Sequence, residues 1–243
     1  MKYMGSKARI SKDIAPIINK MISEKEINTY IEPFVGGCNM IEHIICKNKI
    51  ASDNNDYLIH MWNDLKNGWT PPINMSREKY MDIRDNKNEY SEALVAIAGF
   101  CATYNAKWFG GYAGIVKTKI GTSRNYYDEA IRNIQKQIYK IQDVEFRFGD
   151  YKQYSEVKNT LIYCDIPYEG TTQYGTSKRF NHLEFWGWVR NMSKNNIVLI
   201  SEYNAPDDFK CIYKKQLTTT FDKNSRKKDI EKLFILSDIR YAK

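Results

Sequence analysis

The sequence predicts an α/β chain carrying a mainly helical insertion. Two observations lead there. Short apolar runs that end at carboxylates alternate with segments whose apolar residues recur every three or four positions. Between residues 67 and 142 that alternation lapses and helical periodicity takes over. At 243 residues the chain is one domain with an insertion, or two small domains, and long enough for a substantial core.

The elements follow in order. Residues 1–9 are polar and carry Tyr3, Gly5, Ser6 and Lys7. Ile10, Ile14, Ile17, Ile18, Met21 and Ile22 then share one helical face, and Pro16 bends that helix or delays its start. A strand is expected at Tyr30-Ile31-Glu32, running into Pro33-Phe34-Val35-Gly36-Gly37-Cys38. A helix should follow, capped by Asn39 and carrying Met40, Ile41, Ile44 and Ile45. Lys49 to Ser52 reads as a strand ending at Asp53, and Asp56 to Asp64 as a helix broken at Gly68-Trp69-Thr70-Pro71-Pro72.

Within the insertion, Leu94, Val95, Ile97 and Ala98 mark one helix, and Ile131, Ile134, Ile138 and Ile141 another. Between them lies Tyr104-Asn105-Ala106-Lys107-Trp108-Phe109-Gly110-Gly111-Tyr112-Ala113-Gly114, followed by Lys117, Lys119 and Arg124. This stretch is too polar for a core strand and too aromatic for a plain linker. It reads as a loop that meets nucleic acid, or as a structural hairpin packed on the helices.

Strands resume at Val144–Phe148, ending in Gly149-Asp150, and at Leu161–Cys164, ending in Asp165-Ile166-Pro167-Tyr168. Thr171 to Phe180 is a polar loop with Tyr174, Lys178 and Arg179. Asn181 and Glu184 have capping-box spacing ahead of Leu183, Phe185, Trp186 and Val189. Asn196 to Ile200 is a strand leading into Ser201-Glu202-Tyr203-Asn204-Ala205-Pro206. Two β segments, Phe209–Tyr213 and Lys232–Leu236, close the chain around a basic loop at Lys223–Lys228. That loop is either solvated or in contact with phosphate.

Chemistry narrows from here. Open α/β sheets bind ligands beyond the carboxyl ends of their strands. Asp53 lies about 20 residues past the first strand, where Rossmann-like folds place the acid that takes ribose hydroxyls. Neither G-x-G-x-x-G nor G-x-x-x-x-G-K-[ST] occurs, so a nucleoside ligand without a pyrophosphate fits best. Lys and Arg exceed Asp and Glu by 37 − 29 = 8, which favours a polyanion. With 18 Tyr and 5 Trp, stacking on bases is well supplied. The five cysteines form no C-x-x-C pair and the three histidines are far apart, which disfavours a disulfide framework and metal chemistry. No run suits a signal region or a membrane span, so a reduced, cytoplasmic setting is expected.

Several motifs stand in order: Tyr3-Met4-Gly5-Ser6-Lys7, Glu32-Pro33-Phe34-Val35-Gly36-Gly37, Asp53, Lys107-Trp108-Phe109-Gly110-Gly111-Tyr112, Asp165-Ile166-Pro167-Tyr168 and Ser201-Glu202-Tyr203-Asn204-Ala205-Pro206. On these, over nearly its whole length, the chain resembles the Dam-type adenine-N6 DNA methyltransferases, especially phage and prophage members. The resemblance implies a Rossmann-like methyltransferase sheet, mostly parallel with an antiparallel C-terminal strand. Residues 1–66 and 143–243 would form the catalytic domain and 67–142 an inserted target-recognition region. It implies methyl transfer from S-adenosylmethionine to the N6 amino group of an adenine flipped out of double-stranded DNA.

The resemblance also implies roles. Asp165, Ile166, Pro167 and Tyr168 match the catalytic tetrad. The Asp165 carboxylate and the carbonyl of residue 166 would accept the two amine hydrogens, and Tyr168 would stack on the base. Tyr3, Lys7, Glu32, Pro33, Phe34, Gly36, Gly37, Asp53, Asp150 and Asp165 would bind the cofactor. Lys107, Trp108, Tyr112, Arg124, Lys178 and Arg179 would contact DNA. A cognate restriction endonuclease is an open partner; metal and membrane are not expected. Two positions depart from the family pattern: Cys38 replaces a third small residue, and Ile166 replaces proline. Two alternatives stand beside this reading: a degenerate DNA binder, supported by Ile166, and methylation of another planar amine, such as a cytosine amino group or a glutamine. A cytosine carbon-5 enzyme is disfavoured, because no Pro-Cys step occurs.

Overall fold

The computed structural model describes residues 1–3, 5–117, 120–168, 180–222 and 225–237, with backbone alone for 217–222 and 225–229. In chain order the elements are α1 (Ser11–Glu24), β1 (Thr29–Glu32), β2 (Asn48–Asp53), α2 (Asp56–Lys66), α3 (Arg77–Asp85), α4 (Glu92–Ala96), β3 (Ile115–Lys117) and β4 (Ser123–Asn125). They continue with α5 (Tyr126–Ile138), β5 (Val144–Phe148), β6 (Leu161–Asp165), α6 (His182–Met192), β7 (Ile197–Glu202), β8 (Phe209–Asp222) and β9 (Ser225–Leu236). Two compact units result. One comprises Met1–Lys12, Val35–Ile44 and Asp53–Gly149; the other comprises Asp13–Phe34, Ile45–Ser52 and Asp150–Lys243. The stretch 67–142 falls wholly in the first, in the same unit as the amino-terminal motif and the Gly-rich turn.

In the second unit, strands run in the order β2-β1-β6-β7-β9-β8. The pairs β1–β2, β1–β6 and β6–β7 are parallel, with Ile31 opposite Ile50 and Ile162, and Asp165 opposite Ser201. Parallel strands are buried on both faces, which is why they read as unbroken apolar runs. Strand β9 turns back against β7, pairing Ile200 with Phe234 and Ser201 with Leu233. The carboxyl ends of β1, β6 and β7 therefore share one edge, and they present Glu32, Asp165 and Glu202 there. One core cluster joins Ile31, Ile162, Cys164, Val198 and Ile200 from the strands to Phe185, Val189 and Met192 of α6. Asn181 caps α6, its Oδ1 accepting from the Glu184 amide at 3.1 Å, while the Glu184 carboxylate pairs with Lys152 at 2.5 Å.

Helix α1 runs through Pro16 and buries Ile14, Ile18 and Ile22. The closing hairpin is longer than the sequence suggests. Its strands pair from Phe209↔Leu236 out to Asp222↔Ser225, so most of the basic run expected as a loop has strand backbone. The Thr218-Thr219-Thr220 run is the missed signal, since β-branched residues favour extended backbone.

The first unit is mainly helical. Asn55 caps α2 by accepting from the Leu58 amide at 3.2 Å, and Asn125 caps α5. Helix α4 widens into a π turn at Ile97–Cys101. A short β3–β4 hairpin sits between α4 and α5. The helix expected at Asn39–Ile45 is only a single 3₁₀ turn, Ile41–His43. Asn39 does not cap it. Its side-chain amide donates instead to the Met1 carbonyl at 2.9 Å and to Ser6 Oγ at 2.8 Å.

The aromatic loop packs back on the π turn. Trp108 lies 4.7 Å from Phe100, 4.8 Å from Phe109 and 5.4 Å from Tyr57, between ring centroids. This approach requires glycine at position 99, where a Cβ would stand 2.5 Å from Trp108 Cζ3 and 2.9 Å from Phe109 Cε2. Gly99→Ala should therefore destabilise the protein by about 1–3 kcal/mol through overpacking. Chemical denaturation checks this; an unchanged midpoint would mean the loop yields without cost.

Candidate active site

The first unit holds the Gly-rich turn. Strand β1 delivers the chain to Val35-Gly36-Gly37-Cys38, where Gly36 has φ +47° and Cys38 φ +56°. Most backbone groups of this turn are held. The Gly36 amide donates to Asp53 Oδ2 at 3.1 Å, and its carbonyl accepts from Trp62 Nε1 at 3.1 Å. The Gln137 side-chain amide donates to the carbonyls of Gly37 and Cys38, both at 3.0 Å. Tyr3 lies directly on the turn: a Cβ on Gly36 would meet its ring at 2.8 Å. On the other side the Tyr3 ring packs on Phe100 at 5.3 Å.

Asp53 closes β2 and is buried. Besides Gly36, it accepts from the Asn55 amide at 3.0 Å. Burial pushes its carboxyl up to about 6, against the opposing pull of the Gly36 and Asn55 amides. Lys7 lies in a 3₁₀ turn, Lys7–Arg9, and is 6 % exposed, with Nζ 3.4 Å from the Gly5 carbonyl. Tyr3, Gly36, Gly37 and Asp53 are thus brought together by direct contacts.

The donor set suits S-adenosylmethionine. Asp53 offers a carboxylate for a diol, Lys7 a cation for a carboxylate, and Tyr3 an aromatic face. An ionised carboxylate has about four acceptor sites, so the amides of Gly36, Asn54 and Asn55 leave Asp53 room for a further donor.

The second unit holds the strand edge. Glu32, 2 % exposed, accepts from the Tyr30 hydroxyl at 3.0 Å. Pro33 is buried, and Phe34 stacks on Tyr151 at 5.7 Å. Asp165 is partly buried at the end of β6. Two residues earlier, the Tyr163 hydroxyl shares a 2.7 Å hydrogen bond with Ser201 Oγ. Burial and then the Asp165 charge raise the Tyr163 phenol well above its ordinary range. Tyr168 is raised by burial, then by Asp165 and Glu231. Ile166 is 3 % exposed and belongs to the core cluster, while Pro167 is half-buried.

The remaining predicted residues are dispersed. Asp150 is exposed and accepts from the Lys152 amide at 3.0 Å, starting a 3₁₀ turn. Trp108 is engaged in the aromatic packing above. The Tyr112 hydroxyl donates to the Met75 carbonyl at 2.6 Å and its ring packs on Tyr80 at 5.5 Å. Lys107 and Arg124 are exposed, Arg124 making two bonds to Glu129 at 2.6 and 2.7 Å. Lys178 and Arg179 lie outside the described residues.

Sequence reasoning missed Trp62, Gln137 and Glu231. Gln137 was detectable: it stands among Ile131, Ile134 and Ile138 on a helix yet is 4 % exposed. Trp62 gave no such signal, since a buried tryptophan on an apolar face looks like core.

Comparison with known proteins shows the family. The family model described as D12 class N6 adenine-specific DNA methyltransferase matches residues 3–187. Two relatives are similar: the Type II methyltransferase M.MjaIII of Methanocaldococcus jannaschii and the modification methylase StsI of Streptococcus sanguinis. The first is 24% identical over 76% of this chain and 74% of its own length. The second is 23% identical over 74% of this chain but only 30% of its own length. The chain belongs to the D12 class of N6 adenine-specific DNA methyltransferases, enzymes that transfer a methyl group from S-adenosylmethionine to the N6 amino group of adenine in DNA.

If Asp53 accepts the ribose hydroxyls, cofactor affinity should depend on pH with a definite sign. The ionised carboxyl accepts from hydroxyls and the protonated form does so poorly. Affinity should hold above pH 6 and fall as pH drops through about 6. Calorimetric titration of S-adenosylmethionine from pH 5 to 8 checks this, with Asp53→Asn expected to bind more weakly and to lose the pH step. A flat wild-type profile would count against the assignment.

Proposed function

We propose that the strand-end Asp165 carboxylate and the backbone carbonyl of Ile166 receive the two amine hydrogens of a flipped adenine, and that Tyr168 stacks on its ring. An exocyclic adenine nitrogen is a poor nucleophile because its lone pair is delocalised into the ring. Two acceptors fixed in advance favour the tetrahedral nitrogen needed for attack, the general advantage of preorganised electrostatics. S-adenosylmethionine, when bound, supplies the electrophilic sulfonium methyl. The observation that carries this reading is the partly buried Asp165 at the end of a buried strand, its charge felt by the phenols of both Tyr163 and Tyr168.

On the same reading Asp53 accepts the ribose hydroxyls, Lys7 holds the cofactor carboxylate, and Tyr3, Gly36 and Gly37 shape the turn beneath it. Glu32, Pro33 and Phe34 line the first strand end. Asp150 reads the cofactor adenine with the acceptor capacity left beyond its own turn. The substrate is double-stranded DNA. Exposed Lys107 and Arg124 are the side chains best suited to phosphate, and Trp108 and Tyr112 hold the loop that presents Lys107. A cytoplasmic location and a cognate restriction endonuclease complete the proposal.

Asp165→Ala should lower methyl transfer by at least about a thousandfold, as expected when a principal transition-state acceptor is removed, while DNA affinity changes little. Tritium transfer to unmethylated genomic DNA, with filter binding in parallel, reads both quantities. Turnover within tenfold of wild type would refute the role. Affinity for a non-specific duplex should fall linearly in log–log form with salt, at a slope of about −0.9 per phosphate neutralised. A salt-independent constant would exclude the phosphate contacts.

A further inference from the structure

A stacking ring has to hold its plane before a base arrives. Residues 166–168 leave β6 without regular backbone pairing, so something other than the sheet must fix Tyr168. The Tyr168 hydroxyl donates to Glu231 Oε2 at 2.5 Å. That length belongs to hydrogen bonds between a hydroxyl and a charged carboxylate, roughly twice as strong as neutral ones. The Tyr203 ring meets the Tyr168 ring edge-on, with centroids 4.5 Å apart and planes at 73°. The phenol is thus gripped at its tip and along one face.

The position of Glu231 is unusual for a carboxylate. It lies on β9, two residues before Leu233, and is 9 % exposed. Because β9 runs antiparallel to β7, Glu231 reaches the edge where β6 and β7 end. Lys215, directly across from it on β8, places its ammonium 2.6 Å from Asp13. Withdrawing a carboxylate from water costs several kcal/mol unless its partners repay it. Sheet stability alone would be served as well by an apolar residue, as at Leu233 on the same face of the strand.

We propose that Glu231 is a positioning residue for methyl transfer, its carboxylate holding the Tyr168 phenol so that the ring plane is set before the adenine enters. The inference rests on the base-stacking reading of Tyr168. Glu231 touches neither the base nor the cofactor in this scheme. It acts through the tyrosine by removing ring rotation from the cost of reaching the reactive geometry.

The test is a double-mutant cycle on the full chain, using tritiated S-adenosylmethionine and unmethylated genomic DNA. Glu231→Ala and Tyr168→Phe should each lower kcat by about tenfold, the loss expected for one charge-assisted hydrogen bond. The KM for S-adenosylmethionine should stay within about twofold, since the tether is not part of cofactor binding. The double variant should be no slower than either single one. Glu231→Gln retains an acceptor oxygen and should recover to within about threefold of wild type.

Multiplicative losses in the double variant, or wild-type kcat in Glu231→Ala, would overturn the proposal. So would a Gln variant as slow as the Ala variant. Should Glu231→Ala fail to fold, Glu231→Gln with and without Tyr168→Phe completes the same cycle. Its effect must vanish in the Phe background, or the proposal fails. Tyr168→Ala separates the two levels of argument. At full turnover it would remove the base-stacking role and this inference together. Inactive beside an unimpaired Glu231→Ala, it would remove the inference alone.

Discussion

A carboxylate at the end of a buried strand must be given donors or surrender its charge. That constraint organises both units of this chain. In the second unit a phenol stands beside two of these carboxylates. Tyr30 and Glu32 stand two apart on β1, and Tyr163 and Asp165 two apart on β6, so each pair shares a face of its strand. The Tyr30 hydroxyl bonds Glu32, and Tyr163 feels the charge of Asp165 while bonding Ser201. In the first unit the donors are backbone amides: Asp53 takes those of Gly36 and Asn55. The chemistry follows from this difference. A phenol beside a carboxylate can tune it and hold it. An amide pair from a tight turn holds the carboxylate and fixes the turn at once.

The parallel strands were legible because a strand covered on both faces must be apolar along its length, and each such run stopped at a polar residue where burial ends. Leu161–Asp165 falls where such a run placed it. Local patterns failed where a side chain was claimed by a distant partner. Asn39 has the identity of a helix cap, but the Met1 carbonyl and Ser6 take its amide, and one 3₁₀ turn remains of the expected helix. The closing hairpin failed for another reason: its lysines masked a threonine run, and charge was read as loop. Of the site, residues whose type announces chemistry were visible. Gln137 and Trp62, which hold the Gly-rich turn through its carbonyls, were not, because their contacts span 99 and 26 residues of sequence.

The two departures from the family pattern have different physical meanings. Cys38 stands at φ +56°, a region where glycine is at ease and a Cβ costs about 1–2 kcal/mol. The small residue usual there thus answers a backbone demand, and cysteine meets it under strain. The Gln137 bond to the Cys38 carbonyl and the Cys38 amide bond to the Val35 carbonyl at 2.9 Å hold the turn in that conformation. Chemistry does not need the thiol, which is fully buried.

Ile166 is the subtler case. Proline stiffens a loop by restricting φ in every state of the chain, so much of its effect comes from the unfolded ensemble. Isoleucine does not lock φ in that way, although Pro167 after it favours an extended backbone. Instead its side chain joins the cluster of Ile162, Cys164 and Phe185 beneath the sheet edge, where burying such a group contributes about 1.5–3 kcal/mol. Order at the proposed catalytic tetrad is then supplied by the folded core. The carbonyl of residue 166 keeps its place because the side chain of the same residue cannot leave. A covalent constraint has been exchanged for a packing constraint, and the geometry of the proposed amine acceptors is thereby tied to the integrity of the hydrophobic layer below them.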